Sequence, residues 1–254
     1  MKPLKVIKIG GKVIDDEQKL DSFLKEFVSI KAQKILVHGG GSIATKVGER
    51  LGITPKMTDG RRITDAETLE VITMVYGGLV NKKIVAKLQS LGVNSVGLSG
   101  ADLNIIPAKK RDAEPIDFGW VGDVEKVNTE WLSEMLNKNV VPVLAPLTHD
   151  GKGNMLNTNA DTIASSVASA LTEIFETELI YCFEQPGVMN QGKLITEMNL
   201  LLNRHLKGIG VVTDGMVPKI DLGFSALKGG VKKVSIRSYE DVGKLESGTN
   251  LVSN

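Results

Sequence analysis

This 254-residue chain has few cysteines, few aromatic residues and almost no excess of one charge over the other. The single cysteine, Cys182, cannot form an internal disulfide, which excludes a fold held together by disulfides. Basic residues number 31 against 30 acidic ones, and aromatic residues make up 4%. Such a chain offers neither the positive field nor the stacking surface that nucleic-acid binding requires. We therefore expect no nucleic-acid partner.

Long apolar runs are also missing. No apolar stretch approaches the roughly 20 residues needed to span a bilayer, and Met1-Lys2-Pro3 leads straight into a predicted strand without a signal peptide. We expect no membrane association and a cytoplasmic location. The three histidines are far apart in sequence and lack zinc-binding spacing. Hydrophobic residues at 42% and charged residues at 24% are ordinary for a globular protein of one or two domains.

Strand and helix patterns alternate along the chain, as in βαβ units, and predict an α/β fold. A hairpin-rich stretch is predicted over 104–128, where prolines and glycines cluster, and Gly77-Gly78 should weaken the long helix that contains them. The predicted strands cover 4–9, 34–38, 95–98, 140–145 and 179–183, and the predicted helices cover 20–28, 65–89 and 161–175.

Two glycine-rich turns follow predicted strands near the amino terminus. Lys8 lies inside the first strand, directly before Gly10-Gly11, and a lysine on a buried strand needs a partner for its charge. The second strand runs into Gly39-Gly40-Gly41, after which Ser42 is expected to cap a helix. A strand, a glycine loop and a helix in succession are typical of phosphate-binding sites in α/β proteins.

The segment 212–219 predicts a helix start with a lysine in its first turn. Pro218 is favoured near helix starts, and Lys219 adds a positive charge to exposed backbone amides. Anions such as phosphate bind at such positions. No G-x-x-x-x-G-K-[ST] motif occurs, which excludes the common P-loop.

Five segments together resemble the amino-acid kinase family, in order and over residues 4 to about 250. The resemblance implies a three-layer αβα sandwich around one mostly parallel sheet. It also implies an amino-terminal lobe, 1–177, for the acyl amino acid and for dimerisation, and a carboxy-terminal lobe, 178–254, for ATP. The segments are Lys8-Ile9-Gly10-Gly11, His38-Gly39-Gly40-Gly41, Asp59-Gly60-Arg61-Arg62-Ile63-Thr64, Met155-Leu156-Asn157-Thr158-Asn159-Ala160-Asp161 and Thr213-Asp214-Gly215-Met216-Val217-Pro218-Lys219.

Within that family the resemblance is to the branch that phosphorylates the γ-carboxylate of an N-acylated glutamate, the second step of arginine biosynthesis. It implies that Lys8 and Lys219 stabilise charge on the transferring group and that Asp161 lies between them as a neutralising carboxylate. His38 is expected to support its loop rather than to react. The implied phosphate and ATP contacts are Lys8, Gly10, Gly11, Gly40, Thr213, Asp214, Gly215, Met216 and Lys219.

The implied acceptor contacts are Gly40, Gly41, Arg62 and Asn157. A guanidinium binds a carboxylate through two parallel hydrogen bonds, and an amide can donate and accept at once, which suits Arg62 and Asn157 respectively. Arg61 is expected to be a solvated turn residue. Mg²⁺ is expected to arrive with ATP, bound by phosphate oxygens and water, without dedicated protein ligands.

One position departs from the family pattern, and several alternatives stay open. Glu184 stands where relatives have an aspartate on the nucleotide side. One alternative is a different family member, acting on aspartate, glutamate, carbamate or uridylate. Another is a nonenzymatic nucleotide sensor. Another is a nicotinamide-dependent oxidoreductase, because Gly39-x-Gly41-x-x-Ala44 with Asp59 fits the loose dinucleotide fingerprint.

The resemblance finally implies an assembly. Arginine-inhibited relatives carry an extra amino-terminal helix that interlocks dimers into a hexamer, whereas here the first strand begins by Leu4. We therefore expect a homodimer that arginine does not inhibit, with the long helix from Asp65 in the dimer contact.

Overall fold

A computed structural model describes residues 1–58, 61–213, 215–244 and 246–253. The strands are β1 (Lys2–Ile9), β2 (Gln33–His38), β3 (Lys56–Thr58), β4 (Arg61–Ile63), β5 (Ser95–Leu98), β6 (Ala108–Lys110), β7 (Gly122–Val124), β8 (Val141–Leu144), β9 (Leu147–His149), β10 (Met155–Asn157), β11 (Phe175–Phe183), β12 (Met189–Asn190), β13 (Lys193–Leu194), β14 (Glu197–Met198), β15 (Lys233–Ser238) and β16 (Thr249–Leu251). The helices are α1 (Gly11–Ile14), α2 (Glu17–Ser29), α3 (Gly41–Arg50), α4 (Ala66–Ile72), α5 (Asn81–Ser90), α6 (Thr129–Asn137), α7 (Ala160–Ala170), α8 (Leu200–Gly208) and α9 (Met216–Lys228).

In the described chain the main sheet has eight strands in the order β14-β16-β15-β11-β1-β2-β8-β5. Its strand pairs are parallel except for β15 with β16. β1 lies in the middle, with β2 on one side and β11 on the other, so the carboxyl ends of all three strands meet at one edge. In open parallel sheets ligands bind at the edge where the chain order switches in this way.

Apolar residues on the two faces of this sheet form two cores. One core packs α6, α7, α8 and α9 against the alternate residues Leu4 and Val6 of β1, and the other packs α2, α3, α4 and α5 against Ile7 and Ile9. Because side chains alternate between faces along a strand, one apolar strand supplies both cores. The predicted three-layer αβα sandwich with a mostly parallel sheet is therefore confirmed.

The predicted long helix is present but changes its type in the middle. α4 and α5 flank a π-helical segment, Thr73–Val80, which contains Gly77-Gly78. Asp65 caps α4 by accepting a hydrogen bond from the Thr68 amide, so the helix begins one residue after the predicted start. π-helical turns are rare and occur frequently at functional sites.

Two predictions need correction. The helix predicted to reach Phe175 ends at Ala170. β11 begins at Phe175, before the apolar residues 179–183 over which the strand was predicted. Ser42 does not cap α3: its hydroxyl donates to Asp15 instead, and Gly40 occupies the cap position. The predicted lobe boundary at residue 177 falls within β11, and the division into two lobes stays a prediction. Across the described ranges, no helix is both long and apolar enough to cross a bilayer.

Candidate active site

A buried ion-pair cluster lies at the carboxyl end of the central strand. Lys8 belongs to the face of β1 that also carries Leu4 and Val6, so its side chain points toward α7 and α9. Its Nζ lies 2.8 Å from Oδ1 of Asp161, and the residue is only 7% exposed. The partner that the sequence required for a lysine on a buried strand is therefore Asp161.

The second lysine of the cluster lies on a helix, α9, rather than on the sheet. Lys219, in the first turn of α9, places its Nζ 3.1 Å from Oδ2 of the same carboxylate. The carboxylate of Asp161 thus lies between two ammonium groups, one on each oxygen. The structure brings together the three residues predicted to be catalytic.

Local structure fixes the position of Asp161. The Asn159 side chain caps α7 by accepting from the Asp161 and Thr162 amides, which places Asp161 in the first helical turn. The buried Tyr181 hydroxyl on β11 donates to the Asp161 carbonyl at 3.2 Å. α7 is also joined to α9, because the Ser165 hydroxyl donates to the Leu222 carbonyl. The carboxylate is therefore held by the sheet and by both helices.

Burial and charge act in opposite directions in this cluster. Burial alone would raise the pKa of the Asp161 carboxyl, but the charges and hydrogen bonds of Lys8 and Lys219 together lower it. Burial lowers the pKa of Lys219, and the charge of Lys8 lowers it further, while Asp161 raises it. Asp161 is therefore ionised at neutral pH, and it reduces the repulsion between two lysines directed at one point.

The two glycine turns meet beside this cluster. A Cβ on Gly39 would lie 3.3 Å from the Gly11 nitrogen, and one on Gly11 would lie 3.8 Å from the Gly40 nitrogen. The Gly10 amide already donates to the Cys182 carbonyl at 3.0 Å. Glycine is required at position 40, where φ is 153° and a Cβ would lie 3.2 Å from the Tyr76 ring.

A buried hydrogen-bond chain supports the second glycine turn. Nδ1 of His38 contacts the Gly39 carbonyl at 2.7 Å, and Nε2 contacts Nδ2 of Asn81 at 3.1 Å. Since a carbonyl only accepts, Nδ1 carries the proton, and Nε2 accepts from the amide. Burial lowers the pKa of His38 to about 4, so the imidazole is neutral. The expected supporting role of His38 fits these contacts.

Asn81 was missed in the sequence. Its Nδ2 also donates to the Val143 carbonyl, and Lys82 donates to its Oδ1. It is 1% exposed, between Val80 and Ile84 on the buried side of the helix. A polar residue within such an apolar stripe is the signal that could have identified it.

The predicted acceptor residues lie on hairpins next to the glycine turns. Arg62 on β4 donates to the Gly41 carbonyl at 3.1 Å and to the Thr45 hydroxyl at 2.7 Å. Asn157 on β10 donates to the Thr64 hydroxyl at 3.0 Å. Thr64 ends one of the family segments but was given no role there, and Thr45 carried no signal, because each acts through a residue distant along the chain.

The predicted nucleotide-side residues lie at the start of α9. Gly215 occupies its cap position, Met216 begins it, and Lys219 contacts the Gly215 carbonyl at 3.5 Å. Thr213 is exposed just before this turn. Asp214, predicted to bind phosphate, lies outside the described residues. So does Asp59, the acidic residue of the dinucleotide alternative, together with Gly60 from the third family segment.

Glu184, where the sequence departs from the family pattern, is directed toward α1 and α2. Its carboxylate lies 2.5 Å from Nζ of Lys19 and 3.9 Å from that of Lys12, and the bond to Lys19 is the main cause that lowers its pKa. Glu184 therefore pairs with lysines of the amino-terminal half. Arg61 is exposed, as expected of a solvated turn residue.

This arrangement suits transfer of an anionic group between two anions. Two cations converge on one point, backbone amides of the glycine turns lie beside them, and a guanidinium is placed next to the turns. Charge developing on a transferring phosphoryl group is stabilised by groups of this kind.

Comparisons with known sequences agree with this geometry. The sequence profile described as Amino acid kinase family matches residues 3–238. The acetylglutamate kinase of Bacteroides fragilis is 53% identical over 237 residues, covering 92% of this chain and 91% of that protein. The acetylglutamate kinase of Cytophaga hutchinsonii is 50% identical over 264 residues, covering the whole of both chains.

The fold also matches solved structures. The crystal structure of smu.665 from Streptococcus mutans UA159 superposes with a TM-score of 0.84 at 29% sequence identity and covers 98% of each chain. A carbamate kinase from Giardia shares the fold, with a TM-score of 0.67 at 14% identity.

Proposed function

Because the chain belongs to the amino acid kinase family, we propose that it transfers the γ-phosphoryl group of ATP to the γ-carboxylate of N-acetyl-L-glutamate. A related N-acyl-glutamate, such as N-succinylglutamate, is the alternative acceptor. The product is an acyl phosphate, formed in the second step of arginine biosynthesis. Relatives at 50% and 53% identity that are named acetylglutamate kinase support the acceptor class. The structural observation that carries the proposal is the Lys8–Asp161–Lys219 cluster.

The proposed reaction forms one bond and breaks one. An oxygen of the γ-carboxylate attacks the γ-phosphorus of ATP, and the bond from that phosphorus to the β–γ bridging oxygen breaks, so the electron pair leaves with ADP. A carboxylate is already ionised at neutral pH, so the step needs no general base. Rate enhancement then depends on positioned charge rather than on proton transfer.

We assign Lys8 to the transferring phosphoryl group and Lys219 to the leaving β–γ side of ATP. Lys8 lies on β1 beside the glycine turns, and Lys219 lies in the carboxy-terminal part of the chain, on α9. Asp161 orients both ammonium groups, one on each of its two oxygens, and reduces the repulsion between them. The Gly11 and Gly40 amides are the proposed backbone donors to the same phosphoryl group.

For the acceptor we assign the α-carboxylate to Arg62 and the acylamino group to Asn157. The contacts of Arg62 with Thr45 and Gly41 hold its guanidinium beside the glycine turn. Thr64 occupies one donor of the Asn157 amide and leaves the amide oxygen for a ligand N–H.

Mg²⁺ fits this site as a companion of ATP rather than as a resident ion. Both carboxylate oxygens of Asp161 already contact lysines, so phosphate oxygens would hold the metal. The ion would add positive charge to the phosphates. We propose a cytoplasmic enzyme, because ATP is supplied there.

A panel of acceptors tests the proposal. Purified protein is incubated with Mg-ATP and N-acetylglutamate, N-succinylglutamate, glutamate or aspartate, and ADP release is followed. Hydroxylamine is included in parallel, because it converts an acyl phosphate to a stable hydroxamate. Hydroxamate should form with an N-acyl-glutamate and not with the free amino acids. ADP release without hydroxamate, or preference for a free amino acid, would contradict the proposal.

A further inference from the structure

The hydroxyl of Tyr76 has no hydrogen-bond partner in the part of the chain that the structure describes. The residue as a whole is only 6% exposed. A largely buried aromatic side chain therefore carries one polar group without a partner in the described chain.

That group lies at the acceptor side of the site. The Tyr76 ring packs beneath the glycine turn, 3.2 Å from where a Cβ of Gly40 would be, and its hydroxyl lies 3.8 Å from the corresponding position of Gly41. The carbonyl of Gly41 accepts a hydrogen bond from Arg62. Burial raises the pKa of Tyr76 and the charge of Arg62 opposes the rise, as expected of neighbours.

The π-helical segment directs this side chain inward. Val75, Tyr76 and Val80 of the segment are buried, whereas Met74 and Leu79 are more than half exposed. Two adjacent residues, Val75 and Tyr76, thus pack inward, one into the core and one under the glycine turn. Helical segments of this rare kind occur frequently at functional sites.

We propose that the Tyr76 hydroxyl donates a hydrogen bond to the acceptor carboxylate that Arg62 binds, and so contributes to acceptor specificity. The inference rests on the proposed function. A carboxylate has about four lone-pair sites, and a bidentate guanidinium uses two of them. A hydroxyl next to the guanidinium matches the sites that remain.

Tyr76→Phe tests the inference because it removes only the hydroxyl. A hydrogen bond to a charged group corresponds to about a tenfold to hundredfold change in binding. The acceptor KM should therefore rise about tenfold or more, while the KM for ATP and the melting temperature stay near wild-type values. With the α-carboxamide analogue of the acceptor, wild type and variant should differ much less, because the charged partner is absent.

Tyr239→Phe is the matched control. The Tyr239 hydroxyl donates to the exposed carboxylate of Glu240, and the residue is not placed in the site. Its removal should leave both KM values unchanged. An acceptor KM within twofold of wild type for Tyr76→Phe, or equal rises in both KM values, would overturn the role of Tyr76 alone. A wild-type protein that forms no hydroxamate with any acyl-glutamate would overturn the proposed function and this inference together.

Discussion

At the scale of single residues, the two lysines of the cluster give the sharpest expectation. If each stabilises charge that develops in the transition state, Lys8→Ala and Lys219→Ala should lower kcat by roughly 10²–10³ with little change in acceptor KM. Steady-state kinetics measure both constants.

The controls for this prediction lie on the same two elements. Lys5→Ala removes another ion-paired lysine of β1, whose Nζ lies 3.3 Å from Glu178, and Lys228→Ala removes an exposed lysine at the end of α9. Both should keep wild-type kcat. A kcat within twofold of wild type for Lys8→Ala or Lys219→Ala would remove that lysine from the proposed chemistry.

Arg62→Lys should raise the acceptor KM strongly and leave the KM for ATP nearly unchanged. The substitution keeps the charge but loses the planar fork that binds a carboxylate with two bonds. Arg61→Lys, at an exposed neighbouring position, is the control and should alter neither constant. Equal increases in both KM values would instead indicate a general defect of the hairpin.

His38 makes the stability of the protein depend on pH. Its pKa is lowered by burial from 6.5 to about 4 in the folded chain, so between these values the unfolded chain binds a proton that the folded chain does not. The contribution is present above pH 6.5 and is lost as the pH falls toward 4, on the order of 3 kcal/mol in total. Urea unfolding between pH 4 and 7 measures it. In His38→Gln the slope over this range should be smaller, and an unchanged slope would contradict the assignment.

Residues that carry charge or complete a motif were predictable from the sequence, whereas those that act through contacts were not. Lys8, Asp161 and Lys219 were predicted to come together, and they do. Tyr76 was not predicted, because its position depends on the packing of a helix beneath a glycine turn rather than on spacing along the chain.

At the scale of elements, the cap of α7 links stability to the site. Asn159→Ala removes the side chain that accepts from the Asp161 and Thr162 amides and should cost about 1 kcal/mol of unfolding free energy. It should also lower kcat, because Asp161 lies in the turn that the cap fixes. Asn199→Ala removes the equivalent cap of α8 and should cost similar stability at wild-type kcat. Wild-type kcat in both variants would contradict the proposed link between the α7 cap and catalysis.

The elements also show where periodicity stops being informative. The helical pattern over 65–89 predicted a long helix, which is present as α4, the π-helical segment and α5, whereas weakening at Gly77-Gly78 stays a prediction. It did not predict the π-helical segment, because several of its residues are apolar and fit an α-helical stripe as well. The boundary between α7 and β11 was misplaced because apolar residues continue from one element into the next.

At the scale of the whole molecule, we propose a homodimer built in part on the π-helical segment. Met74 and Leu79 are 54% and 55% exposed there, and a Cβ on Gly78 would meet no atom within 4 Å in the described chain. An apolar, open surface of this kind permits close approach of a second copy about a two-fold axis. Light scattering should give a mass near twice 27.3 kDa.

Charge at this surface should separate the subunits. Leu79→Glu is expected to shift the mass toward that of one chain. Leu201→Glu, at a residue of α8 that is 64% exposed, is the control and should leave the mass unchanged. A monomeric wild-type protein would contradict the proposed assembly.

The central position of β1 has a consequence for synthesis. β1 is synthesised before both of its neighbours, β2 and β11, and β11 begins only at Phe175. Until then one edge of β1 has unpaired backbone groups next to apolar side chains, and such edges promote aggregation. Completion of the sheet must therefore wait for late translation, and a nascent chain that stops short of β11 is the form in which we expect chaperones to be needed.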